Sequence, residues 1–459
     1  MKKGLLFIVI FALLGFTVAP VFAQAEVNAT SAPGVWVSSI NIQNPSDTEA
    51  NVVLDFYDAN GTKVFTFNVS PPIPAKGSRS LYVPADVAGL ASGQFSVVAS
   101  SNVDINVVVN SSSTAPYTAG AYTGVKSGET GTVLYFPGLY NNYYGFYSEL
   151  VLQNTGDTTA NVSIQFYDQR TGAAVGTLVT GTIPLGSSKT FVLSSISGLP
   201  SGNANGLFSA KVTSTNGMML AGVANIWTAA VHGEFAEYSA FIQGDTSIYV
   251  PALYKAYYDF VSSLTIQNLG TASTNVTITY SNGTVDSATI AANQAIELYQ
   301  PNNPSLPSGN ANGVFSAKVT SSGEPIVALV NIEDKNKGSL ASYNGLVGPT
   351  NTVLCPVVLK DYYYWFSAET VQNVGTAPTN ITITYANGMT RVYNNVPPNG
   401  TVNIIELANA GSPLPVTSSL AATITSSGQP LVAVVQENSN TRYSENPGDY
   451  LLSYSCANK

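Results

Sequence analysis

The stretch Gln153-Asn154-Thr155-Gly156, followed shortly by Asn161-Val-Ser-Ile-Gln-Phe-Tyr167, decides the fold. Its second half alternates apolar and polar residues and is rich in Val, Ile and aromatics, the pattern of a half-buried β-strand. The same phrase returns three times. Ile42-Gln43-Asn44 precedes Asn51-Val-Val-Leu-Asp-Phe-Tyr57, Ile266-Gln267-Asn268 precedes Asn275-Val-Thr-Ile-Thr-Tyr280, and Val371-Gln372-Asn373 precedes Asn380-Ile-Thr-Ile-Thr-Tyr385. The glutamines lie 110, 114 and 105 residues apart. A turn dipeptide ends each strand: Asn60-Gly61, Thr171-Gly172, Asn282-Gly283 and Asn387-Gly388. Asn-Gly after an alternating run is a strong hairpin signal.

Repetition continues downstream. Leu199-Pro-Ser-Gly-Asn-Ala-Asn-Gly206 is repeated letter for letter as Leu306 to Gly313, and Phe208 to Ser214 as Phe315 to Ser321. Very apolar runs follow at Leu220 to Ile226, Ile326 to Ile332 and Leu431 to Val435, suited to central strands. No stretch keeps a helical period. Units near 110 residues built from short strands predict an all-β chain of four tandem immunoglobulin-like β-sandwich modules. We place them at residues 24–130, 131–245, 246–349 and 350–459, after a signal peptide at 1–23.

That leader has a basic start (Lys2, Lys3), an apolar run from Leu5 to Val18 and the small-residue cleavage site Val21-Phe22-Ala23, with a second readable cut after Ala25. The run is short for a membrane span, and no second one of about 18 residues follows. The expectation is a secreted, extracellular or cell-surface protein with no membrane span in the mature chain.

Composition narrows the function. Of 459 residues only 9% are charged, against roughly 25% in an average soluble protein. There are 17 Lys and Arg against 26 Asp and Glu. Nucleic-acid binding needs a basic footprint, so no nucleic-acid partner is expected. One histidine and two cysteines leave little for His-based triads or zinc sites. His232 has no second histidine, and Glu234 and Glu237, flanking a strand, read as solvated. Asp245, Asp259 and Asp334 lie near junctions, but no Asp-x-Asp-x-Asp-Gly calcium loop occurs. No catalytic, cofactor-binding or metal residues are assigned. Asn28, Asn60, Asn68, Asn110, Asn161, Asn275, Asn282, Asn380 and Asn399 head Asn-x-Ser/Thr triplets, which an Asn-, Ser- and Thr-rich chain also produces by chance.

Cys355 opens the fourth repeat before Pro356, where Phe136-Pro137 and Val250-Pro251 open the second and third. Cys456 lies in Tyr454-Ser-Cys456, matching Tyr122-Thr-Gly124, Tyr238-Ser-Ala240 and Tyr343-Asn-Gly345. Export favours oxidation, so a Cys355–Cys456 disulfide is expected, setting the first and last strands of that module side by side. Two unpaired buried thiols are the alternative.

The apolar strand, the Gln-Asn-x-Gly turn (Gln153 to Gly156, Gln267 to Gly270, Gln372 to Gly375) and the strand after it resemble bacterial surface modules of the cell-adhesion-related (CARDB-like) type. Repeat one departs from this, with Asn44-Pro45-Ser46 in place of the glycine turn. The resemblance spans residues 33–459 and implies tandem immunoglobulin-like sandwiches with a stalk, adhesion or coat role and no catalysis. It carries over no binding residues.

Three aromatic clusters stand between the Pro-marked strand and the Gln-Asn strand. They are Tyr140, Tyr143, Tyr144, Phe146 and Tyr147; Tyr254, Tyr257, Tyr258 and Phe260; and Tyr362, Tyr363, Tyr364, Trp365 and Phe366. They suit either staples between modules or platforms for sugar rings, since Tyr and Trp join an apolar face to a polar tip. Repeat one lacks such a cluster. Pro33 to Gln43 is 10 residues where Pro137 to Gln153 is 16, and only Trp36 stands in. Its opening strand is short, so the module is either a trimmed end or an open edge able to accept a strand. The whole reads as a rod-like, non-enzymatic structural or adhesive element of a bacterial surface, with surface polysaccharide or copies of itself as partners. A carbohydrate-binding adhesin and a filament or surface-layer subunit are the alternatives.

Overall fold

The computed structural model describes residues 4–10, 32–114, 116–229, 233–407, 410–439 and 447–459. The chain is all-β. Module 2 shows the plan. One sheet runs Ala174–Ile183, Ala160–Asp168, Leu207–Ser214 and the first half of Val133–Tyr143; the other runs Ser188–Val192, Phe146–Asn154, Leu220–Thr228 and Phe235–Ser239. The long strand Val133–Tyr143 serves both. Its first half pairs with Leu207–Ser214, then the register shifts between Phe136 and Leu139, and its end turns back onto Phe146–Asn154. Pro137 occupies this shift, where a residue without an N–H loses no ladder bond. Module 3 repeats the arrangement, with the shift between Val250 and Leu253. In module 4 Thr352–Lys360 has the same shift, between Cys355 and Val358, but its two sheets stay separate and the hairpin is closed by the Tyr362–Trp365 bridge.

Two side chains secure the irregularity. The hydroxyl of Tyr238 donates to Gly138 O (2.9 Å), that of Tyr343 to Ala252 O (2.6 Å) and that of Tyr454 to Val357 O. Ser148 Oγ accepts the Tyr140 N–H, Ser262 Oγ that of Tyr254, and Ser367 Oγ that of Leu359. The repeated asparagine has an equally local role. Nδ2 of Asn154 donates to Thr158 O and Ile183 O while Oδ1 accepts the Gly156 N–H. Asn268 and Asn373 do the same. In module 1 Asn44 keeps this turn with Ser46 in the glycine's place, donating its N–H to Asn44 Oδ1.

Module 1 departs where the sequence is short. Its sheets run Lys63–Asn68, Val52–Tyr57, Phe95–Ser101, and Ser78–Tyr82, Trp36–Gln43, Asn106–Thr114, Tyr117–Thr123. The place of a first strand beside Phe95–Ser101 is taken by Gly4–Ile10. The segment read from sequence as a leader outside the modules thus contributes a strand to the first one.

The rod-like reading is corrected. The last strands of the modules, Tyr117–Thr123, Phe235–Ser239, Ser339–Asn344 and Leu451–Ser455, pack each against the next, and the fourth closes on the first. Four hydrogen bonds complete the circuit. Thr123 Oγ1 donates to Ser455 O (3.0 Å), Ser455 Oγ to Asn344 O (2.7 Å), Asn344 Nδ2 to Ser239 O (2.8 Å), and Ser239 Oγ to Thr123 O (2.7 Å). These residues follow the repeated tyrosine, so one position recurring in the sequence becomes a four-fold contact. Asp449 fastens one end of the axis. Its N–H donates to Tyr117 O, and its carboxylate accepts the N–H groups of Phe235, Leu340 and Leu451. Burial raises its pKa against the pull of those three donors. A sequence pattern fixes what one module buries; it does not fix how modules meet, because the closing contacts use small polar residues without a signature.

Cys355 and Cys456 are joined, with Cα atoms 4.7 Å apart. Leu354 pairs with Ala457, which sets the first and last strands of module 4 side by side.

Candidate functional site: the aromatic junctions

Each aromatic cluster is the tip of a hairpin leaning toward the following module. At the turns, Tyr144 and Gly145, Tyr258 and Asp259, and Tyr363 and Tyr364 all have positive φ. Two successive left-handed residues make a type I′ turn, which matches strand twist but disfavours bulky side chains. The strained backbone is braced from the repeated octapeptides: Asn203 Oδ1 accepts the Tyr144 N–H at 2.6 Å and Asn310 Oδ1 that of Tyr258 at 2.7 Å. Gly206 and Gly313 allow the brace, since a Cβ at either would lie 2.3 or 2.4 Å from a hairpin carbonyl oxygen. In all three hairpins the tip tyrosine stands edge-on to its neighbour at 4.8 Å, in the pairs Tyr143–Tyr144, Tyr257–Tyr258 and Tyr362–Tyr363.

Base and tip of each cluster differ. Tyr140 and Tyr254 are buried and reach the next module: Asn331 Nδ2 donates to the Tyr140 hydroxyl and Gln436 Nε2 to that of Tyr254, both at 2.9 Å. Burial pushes the Tyr254 pKa up to about 12. Tyr143, Tyr147, Tyr257, Tyr362, Trp365, Phe146, Phe260 and Phe366 are half-buried. Tyr144, Tyr258, Tyr363 and Tyr364 are exposed, at 57 to 69%. So the base joins modules and the tip faces outward.

The junctions are not equivalent. Between modules 2 and 3 a cleft of about 590 Å³ holds Tyr143, Tyr144, Glu297, Glu333 and Lys335. Between modules 4 and 1 the position of Tyr140 and Tyr254 is taken by Leu359, which has no hydroxyl to offer, and Asn110 Nδ2 donates instead to Glu437. There a cleft of about 440 Å³ gathers Tyr82, Tyr117, Tyr362, Tyr363, Trp365 and Tyr450 beside Ser39 and Asn41. Tyr450 lies 6.2 Å from Tyr117 and 5.9 Å from Trp365. Between modules 1 and 2, Trp36 packs with Trp227 and Phe235, its ring 4.3 Å from that of Phe235.

Sequence reasoning missed two buried carboxylates at these contacts. Glu237, read as solvated, is buried: Oε1 accepts from Ser111 of module 1, and the side chain lines an axial cavity of about 140 Å³. Burial pushes Glu237 and Glu437 up to about 8. Glu234 is half-buried and raised by burial, and His232 and Asn28 lie outside the described residues. Asp245 and Asp334 cap turns, accepting the N–H groups of Ser247 and Asn336, and Asp259 is exposed. The three are not brought together, and among the described residues no group of three His, Cys, Asp or Glu could hold a metal. No helix among the described residues is long and apolar enough to cross a membrane.

No known family's profile matches the chain, and no curated protein does. Among solved structures, protein 1070 of Thermotoga maritima is similar at 19% identity over 24% of this chain and 93% of its own, with a TM-score of 0.20. The full-length pilus protein RrgB of Streptococcus pneumoniae is similar at 8% identity over 95% of this chain and 89% of its own, with a TM-score of 0.14.

Proposed function

We propose that this chain is a non-enzymatic structural element of a bacterial surface, secreted and built as a closed ring of four sandwiches. The closed hydrogen-bonded circuit at the ring axis carries this reading, because it turns four repeats into one body with small polar contacts and few charges. The leader-like start and the resemblance to cell-adhesion-related surface modules support the location. Antibody labelling of intact producing cells, with and without external protease, tests it: protease-sensitive labelling outside the cell is expected, and a signal only after lysis sinks it.

A second reading has its own support. The module 4–1 cleft joins aromatic faces to hydroxyl and amide groups, the chemistry that stacks on sugar rings and bonds their hydroxyls. Under that reading the ligand is a surface polysaccharide. Glycan screening of the intact protein against the Trp365→Ala variant tests it: binding that the substitution removes supports it, and binding that survives, or no binding to any glycan, rejects it.

A further inference from the structure

Module 1 contains a strand seat that its own modular sequence does not fill. In modules 2, 3 and 4 the strand beside the Phe208, Phe315 or Leu420 strand comes from just ahead of the aromatic hairpin: Leu134 opposes Val212, Ile248 opposes Val319, and Val353 opposes Ile424. In module 1 that stretch is missing, and Gly4–Ile10 lies antiparallel to Phe95–Ser101 in unbroken register, Leu6 opposite Ala99 and Ile8 opposite Val97. Aligned on the shared strand, Leu6 takes the position of Leu134 and Ile8 that of Phe136, two fully buried core residues of module 2. The outer flank matches too. Phe7 pairs with Val125 as Tyr135 bridges Phe241 and Tyr249 bridges Leu346. The seat therefore has the register, length and flank of a regular first strand, but its occupant belongs to a segment that reads as a removable leader.

We propose that the edge formed by Phe95–Ser101 and Val125–Lys126 is a strand-accepting site, which after leader removal takes an uncharged, apolar, extended segment of a partner polypeptide. The chemistry follows from the present occupant, Gly-Leu-Leu-Phe-Ile-Val-Ile, seven residues without a charge. An unpaired edge beside an open core is both a template for main-chain hydrogen bonds and a loss of apolar burial, and added strands satisfy both at once. The site goes beyond the scaffold reading, which stands or falls on labelling of intact cells.

The test begins from the full chain, folded with its strand in place, carrying a site-specific protease sequence between Ile10 and Ala32. After cutting, a fluorescent peptide of the Gly4–Ile10 sequence with flanking lysines is added. The expected result is one-to-one exchange into the ring. With oxidised glutathione as the oxidant, a peptide with Leu6→Cys should form a disulfide with an Ala99→Cys ring, and one with Phe7→Cys should not. Placing aspartate at Leu6 and Ile8 should weaken binding by roughly a hundredfold, since the equivalent residues of module 2, Leu134 and Phe136, are fully buried. Light scattering identifies the donor. Rings that associate after cutting and are separated by the peptide take the strand of a second copy; rings that bind peptide and stay single take it from another polypeptide. Failure of exchange and of the in-register disulfide, with thermal unfolding unchanged by cutting, overturns the site.

Discussion

Modules 1 and 4 sit at opposite ends of the chain and side by side in the ring, where Gln43 Nε2 donates to Ala422 O and Lys459 Nζ to Pro45 O. Module 4 fills its first-strand seat with its own Thr352–Lys360 and clasps that strand to its last through Cys355–Cys456. Module 1 fills the same seat with Gly4–Ile10 and has no covalent clasp. One sandwich is thus closed from within and the other by a segment that precedes it in the chain. The pair shows that repeat number does not fix how completely each repeat is built.

The largest effect should come from removing the clasp. A Cys355→Ala, Cys456→Ala chain is expected to lose about 4–5 kcal/mol in module 4 on the chain-entropy account of a 101-residue loop. Calorimetry in oxidising and reducing buffer checks it: reductant should bring the parent to the variant's profile, and an unchanged parent breaks the comparison. Next, Phe208 and Phe95 occupy equivalent positions, fully buried in module 2 and half-buried in module 1. Denaturant titration should show Phe208→Ala costing roughly 3–5 kcal/mol and Phe95→Ala about half that.

Module 1 also touches two buried acids. The folded pKa of Glu237 and of Glu437 is about 8, above the ordinary 4.5. The folded state therefore holds their protons longer than the unfolded one, so their contribution is complete below about pH 4.5 and is lost as pH rises toward 8. The denaturant midpoint of unfolding should fall over that window, and Glu237→Gln with Glu437→Gln should flatten the slope. A smaller gain is expected from Glu369→Leu. Glu369 occupies the core position held by Ile40, Leu150 and Leu264, neither of its oxygens has a hydrogen-bond partner, and burial beside Glu406 raises its pKa. Leucine there should stabilise module 4 by about 1–3 kcal/mol. The smallest effect is at a tip: Tyr258→Gly removes an exposed ring and relieves a left-handed tyrosine (φ 44°), and should shift stability by less than about 1 kcal/mol.

The fold of one module was legible because alternation, Asn-Gly turns and the Gln-Asn phrase are local signals with local causes. Asn154 recurs because its amide ties three backbone groups, and that bond set lies within about 30 residues. The aromatic clusters were legible as junction features, but not their division into buried base and exposed tip, which depends on which hydroxyl meets Asn331 or Gln436. Glu237 misled because a carboxylate between the apolar residues Ala236 and Tyr238 reads as the solvent face of an alternating strand, whereas that face meets the last strands of other modules. Ring closure left no trace for the same reason: Thr123, Ser239, Asn344 and Ser455 look like ordinary strand ends until they meet.

Those four residues have a mechanical consequence. Every donor in the circuit points to the module before it, and module 1 points back to module 4. Three of the four junctions are also crossed by the polypeptide, so a module pulled away there remains tethered at high effective concentration. The junction of modules 4 and 1 has no such tether and is the seam of the ring. Under load it parts first, and the molecule opens into a four-unit strip whose two free ends are the borrowed strand and the disulfide clasp.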